Sequence, residues 1–135
     1  SLFIDPVNIF SPNFTQDART TSKELFMIIE RFINEKIKQM SAYVSAVSEQ
    51  MLHYTELDQF ILDTMEEWTS LNVTDETPSS AQERVFWHLI HELSLHGSQA
   101  LQQNLFFKSE ISTCIDFFNG IGGYPIDCIG WRPIA

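Results

Sequence analysis

The chain has 135 residues and a mass of 15.6 kDa, a size that supports one hydrophobic core and is too small for two comfortable ones. Hydrophobic residues make up 44% of it, including 11 Phe, enough apolar surface to repay the entropy of ordering and exclude a disordered chain. A net charge of −10, from 18 acidic and 8 basic residues, sets its surface against phosphate backbones and anionic bilayers, so nucleic acid and membrane are excluded as expected partners.

Residues 1–20 carry Pro6 and Pro12 among Phe3, Ile4, Val7, Ile9, Phe10 and Phe14. The segment is apolar but a poor helix, and reads as an extended arm packed across the domain. Thr21 followed by Glu24 is a capping box and opens the first helix. From there Phe26, Ile29, Ile33, Ile37, Met40, Val44, Val47 and Met51 recur at three- and four-residue steps, a seam that stays on one face. Thr55 with Asp58 repeats the cap, and Leu57, Phe60, Ile61, Thr64, Met65 and Trp68 form the stripe of a second helix, paired with the first as a hairpin.

Residues 70–80 contain Asn72, Asp75, Pro78 and serines and read as a loop. Ser80 with Glu83 opens a third helix, with Phe86, Leu89, Ile90 and Leu93 on its core face, and Gly97 ends it after His96. Beyond it, Leu101 and Leu105 share one face, whereas Phe107, Ile111, Cys114, Ile115 and Phe118 share another. One straight helix cannot bury both sets, so a break is expected near Ser109, which caps the last helix. Gly120, Gly122, Gly123 and Gly130, with Pro125 and Pro133, stop regular helix at Asn119 and leave an irregular, ordered tail.

The reading is therefore a single all-α domain over residues 1–135: an arm (1–20), a bundle of four to five helices (21–119) and a tail (120–135). A small α+β fold, with arm and tail paired as strands, is the runner-up. No apolar run approaches the roughly 20 residues of a membrane-spanning helix, and no basic segment leads into an apolar one at the N-terminus.

Charge is unevenly placed. Between Lys38 and Arg84 there is no Lys or Arg, while Glu49, Glu56, Asp58, Asp63, Glu66, Glu67, Asp75, Glu76 and Glu83 all fall there. With the second helix's apolar stripe turned inward, Glu56, Asp63, Glu66 and Glu67 are left to the other side. Asp63 and Glu67 are a like-charge pair one turn apart, which an isolated helix resists by a few tenths of a kcal/mol.

The other candidate chemistry is on the third helix, where His88, Glu92 and His96 repeat every four residues beside His91. This spacing can present metal ligands on one flank. The metalloprotease pattern His-Glu-x-x-His is missed by one residue in His91-Glu92-Leu93-Ser94-Leu95-His96, and the Glu-x-x-His pairs of di-iron bundles are absent. A structural pairing of Glu92 with His88 or His96 across adjacent turns accounts for the pattern.

Cys114 and Cys128 have no CxxC spacing, so a reducing cytoplasm is the simplest setting, although one bridge between them in a mature secreted or periplasmic chain stays open. Cys128 beside Asp127 lacks any base that the sequence places near it. The glycines from Gly120 to Gly123 follow a helix instead of leading into one, so they read as a helix stop and not as a phosphate loop.

These features favour a small acidic, non-enzymatic binding protein of the bacterial immunity-protein, inhibitor or adaptor kind. It would recognise a basic protein partner through Glu56, Asp63, Glu66 and Glu67, with no cofactor and no metal. A homodimer through the long first helix is a further expectation. The alternative is a metal-dependent or acid–base enzyme using His88, His91, Glu92 and His96.

Overall fold

Five helices account for the bundle in the computed structural model, which describes residues 21–73, 77–125, 128 and 130–133. They are α1 (Ser22–Ser48), α2 (Tyr54–Ser70), α3 (Ala81–His96), α4 (Ala100–Gln103) and α5 (Leu105–Phe118). No strand occurs among the described residues, and none of the helices is long and apolar enough to cross a membrane. The expected arm over residues 1–20 lies outside the described residues.

Local sequence sets most helix ends. The Thr21 hydroxyl accepts from the Glu24 amide at 3.1 Å while the Glu24 carboxylate accepts from the Thr21 amide at 3.0 Å, completing the capping box. The α1 seam is buried from Ile29 to Val47. It reaches neither Phe26, which is 40% exposed, nor Met51, which is 78% exposed, the latter because Gln50 turns left-handed at φ 61°. The Gln50 and Met51 amides then donate to Val47 and Ala46, the paired bonds of a Schellman stop made without glycine. The Gln102 side chain donates to the Val47 carbonyl at 2.9 Å and closes that end from α4.

Two expected caps are corrected. His53, not Thr55, caps α2: its Nδ1 accepts from the Thr55 amide at 3.3 Å, and the Thr55 hydroxyl bonds to the same nitrogen at 2.8 Å. The break before the last helix falls at Asn104, whose side chain accepts from the Phe107 amide at 3.1 Å. Ser109 is inside α5, where its carbonyl accepts from Thr113. Breaking at Asn104 lets Leu101 be buried on α4 and Phe107, Ile111 and Cys114 on α5, and it leaves Leu105 82% exposed. The last helix stops as expected, with Gly120 at φ 77° and the Gly120 and Ile121 amides donating to Phe117 and Asp116.

The centre is aromatic. Trp87 meets Trp68 edge-on at 4.9 Å and Phe86 at 5.0 Å, and Phe32 lies 5.6 Å from Trp68, so α1, α2 and α3 share one cluster. α1 also packs against α4 and α5, so its seam from Ile29 to Val47 is covered within the chain.

Glu83 departs from the capping-box expectation. Ser80 does cap α3, accepting from the Glu83 amide at 3.1 Å, but the Glu83 side chain turns into the core. There it accepts from the Trp87 indole at 3.0 Å and from both Nε and Nη2 of Arg132, the latter at 2.9 Å. Arg132 also donates to the Thr77 carbonyl at 2.6 Å and lies over the Trp68 ring at 5.7 Å. The side chains are 1% and 9% exposed respectively.

This ion pair yields a prediction. Removing one partner of a buried pair leaves an uncompensated charge, at a loss of about 3–5 kcal/mol. Arg132→Met is expected to lose that much in urea denaturation, and the double variant Glu83→Gln, Arg132→Met to lose clearly less. Equal losses would mean that burial of the unpaired carboxylate is not the cause.

A second prediction concerns Gly130, where a Cβ would fall onto the Arg84 carbonyl oxygen and crowd the His88 amide. Gly130→Ala must push the tail off α3. We expect a loss of roughly 1–3 kcal/mol, with faster alkylation of Cys128 by iodoacetamide as the specific readout. Unchanged alkylation would show that the tail accommodates the methyl in place.

Candidate functional site

The acidic residues of α2 do not form one uniform face. Glu56, Asp63 and Glu66 are exposed, with Leu62, itself 62% exposed, beside them. Asp63 accepts a hydrogen bond from Gln59 at 2.9 Å. Glu67 is instead engaged by Lys36 of α1 at 2.7 Å. Lys36 is nearly buried, and its ammonium lies 5.6 Å from the Phe32 ring and 5.9 Å from the Phe60 ring. Its stem fills the seam between α1 and α2 while its charge reaches the Glu67 carboxylate. α2 itself holds no Lys or Arg, but α1 supplies this one.

The histidine flank on α3 separates into different environments. Glu92 and His96 face each other at 3.6 Å one turn apart, and His96 also lies 5.0 Å from the Phe107 ring. His91 is exposed. His88 takes no part in that pair. It is half-buried, and a ring nitrogen of His88 and the sulfurs of Cys114 and Cys128 all lie within 4.8 Å of one another.

Three elements build this cluster. α3 supplies His88, one turn after the Arg84 carbonyl on which Gly130 rests. α5 supplies Cys114 from the same buried stripe as Phe107 and Ile111. The tail supplies Cys128, and its course is fixed on both sides. Tyr124 donates to the Cys128 carbonyl at 3.1 Å, with its ring 5.6 Å from Phe117 and under the Arg84 guanidinium at 5.7 Å. On the other side Gly130 lies against α3 and Arg132 is bound by Glu83.

Both thiols are free and buried. Burial, reinforced by neighbouring Cys128, pushes the Cys114 thiol up to about 12. Cys128 is raised as well, by burial, against lowering influences from Tyr124, Cys114 and Arg84. Loss of water disfavours a thiolate, so without an added cation both sulfurs are protonated and weakly nucleophilic at neutral pH.

In the sequence His88 pairs only with its helix neighbours, and Cys128 only with Asp127 or, as a bridge, with Cys114. The signal for their meeting was in the tail: Arg132 is the sole Lys or Arg after Lys108, and Gly130 stands two residues before it. Together they dock the tail along α3.

Comparison with family models, with curated proteins and with solved structures finds no match for this chain.

The Cys114 shift has a consequence for stability. Its folded thiol keeps its proton to about 12, whereas an unfolded one releases it near 9.0. The contribution is fully present below that lower value and is lost as pH climbs toward the higher one, because only the unfolded chain gains by ionising. In reductant and chelator, wild-type stability should therefore fall more steeply over this window than that of Cys114→Ala, by up to about 1.4 kcal/mol per pH unit. Parallel pH profiles would remove Cys114 as the cause.

Proposed function

We propose that this chain is a non-enzymatic binding module that recognises a basic protein partner through the outward side of α2, in the manner of an inhibitor, immunity protein or adaptor. The observation that carries this reading is the grouping of exposed Glu56, Asp63 and Glu66 beside exposed Leu62. Among the described residues, the one lysine or arginine paired with an α2 carboxylate is Lys36, and it is taken by Glu67.

Like charges a turn apart add nothing to the helix, whereas a basic partner gains faster encounter and a fixed register from them. Leu62 offers an apolar contact within that rim of charge. Glu67, held by Lys36, serves the α1–α2 seam and stands at the edge of this surface. Two free thiols fit a reducing compartment, and we place the protein in the cytoplasm.

The test compares wild type with the combined variant Glu56→Gln, Asp63→Asn, Glu66→Gln, which leaves the Lys36–Glu67 pair intact. Partners are captured at low salt by cross-linking and identified by mass spectrometry, and their association rates are then measured against salt. A basic partner whose association slows about tenfold or more, both in the variant and on adding salt, is expected. If neither changes the rate, the face only keeps the chain solvated and the reading fails.

A further inference from the structure

His88, Cys114 and Cys128 are the only group of three or more His, Cys, Asp or Glu side chains found close enough together to hold a metal ion among the described residues. They come from α3, α5 and the tail, and none of them belongs to the α2 surface. We propose that these three residues form a zinc(II) site that clamps the tail onto α3 and α5. This assignment does not depend on the binding role of α2.

The donor set is the first argument. Two thiolates and an imidazole are the ligands zinc takes most readily, whereas calcium and magnesium require oxygen. Size is the second. Zinc bonds of about 2.3 Å to sulfur and about 2.0 Å to nitrogen set tetrahedral ligand atoms roughly 3.5–3.8 Å apart. The three atoms are already within 4.8 Å, so small inward shifts shared among three side chains complete the contact.

Preorganisation is the third. Cys128 is positioned by Tyr124, Gly130 and Arg132, through contacts that need no metal, and Cys114 is fixed in the buried stripe of α5. Little ordering remains to oppose binding. The charge also balances. Each thiol releases its proton to solvent as its sulfur bonds to zinc, and two thiolates cancel the dication, leaving a neutral core that can stay buried.

The fourth position of the tetrahedron is left to a water beside the half-buried imidazole. The same closeness of two sulfurs fits a disulfide, but that bond requires an oxidant and gives His88 no role.

The test uses the full chain, reduced and freed of metal by chelator, titrated with cobalt(II) and then zinc(II). One cobalt per chain is expected, with the sulfur-to-cobalt charge transfer and intense visible bands of a tetrahedral thiolate site. Zinc should abolish those bands and raise the melting temperature. Cys114→Ser and Cys128→Ser should each lower zinc affinity at least roughly 100-fold, since even outer-shell partners are worth about 10–100-fold. If Cys114→Ser fails to fold, Cys128→Ser and His88→Gln carry the test, with helix content checked by circular dichroism. Cobalt that stays octahedral and aquated with reduced, folded wild type overturns the site, as does cobalt held equally well by Cys128→Ser and His88→Gln.

Discussion

A carboxylate in the middle of an aromatic core is the constraint around which this fold is arranged. Glu83 is on the first turn of α3, next to Trp87 and among residues with almost no access to water. Stripping water from an ionised carboxylate disfavours folding by several kcal/mol unless a counter-charge and enough hydrogen-bond donors replace it. Arg132 supplies the counter-charge, with a guanidinium whose planar fork matches the two carboxylate oxygens. Trp87 supplies one further donor, and the Thr77 carbonyl accepts a hydrogen bond from a remaining guanidinium N–H. The start of α3 is thereby tied to the last stretch of the described chain.

That tie fixes the tail. With Arg132 anchored, the chain runs back along α3 through Gly130, where a close approach of two backbones leaves no room for a side chain, and then reaches Cys128. Tyr124 holds the far end of the run between Phe117 and Arg84. The position of Cys128 opposite His88 and Cys114 is thus a product of packing and of the buried ion pair.

The two candidate functional regions differ in the physics behind them. The α2 surface is open, charged and weakly interacting within the chain, and the role proposed for it rests on steering and selecting a partner. The thiol–imidazole cluster is enclosed and draws on three elements, so its chemistry depends on the bundle being assembled. Lys36 marks the boundary of the first region. By filling the seam between Phe32 and Phe60 and pairing with Glu67, it turns one of the five α2 carboxylates into part of the α1–α2 contact.

By itself the sequence determined what depends on neighbours along the chain. The Thr21–Glu24 box, the Ser80 cap and the Gly120 stop were written in residues three or four apart, and so were the buried faces of α1, α2 and α3, because helical period and capping are local. It misled where two local signals competed. Asn104 and Ser109 both carry side chains suited to capping, and the burial of Leu101 and Phe107 on different elements chose Asn104, whereas at α2 a histidine, not a favoured capping residue, took the place of Thr55. The α1 seam likewise read through to Met51, because nothing in the pattern announced that Gln50 would turn left-handed. Only the tertiary structure decided which charges are spent inside the fold. Glu83 and Glu67 are ordinary members of an acidic block until Arg132 and Lys36 arrive from distant positions. His88 belongs to a histidine flank until Cys114 and Cys128 are folded against it. Those meetings are set by the packing of α1, α3, α5 and the tail, across sequence separations that no helical period spans.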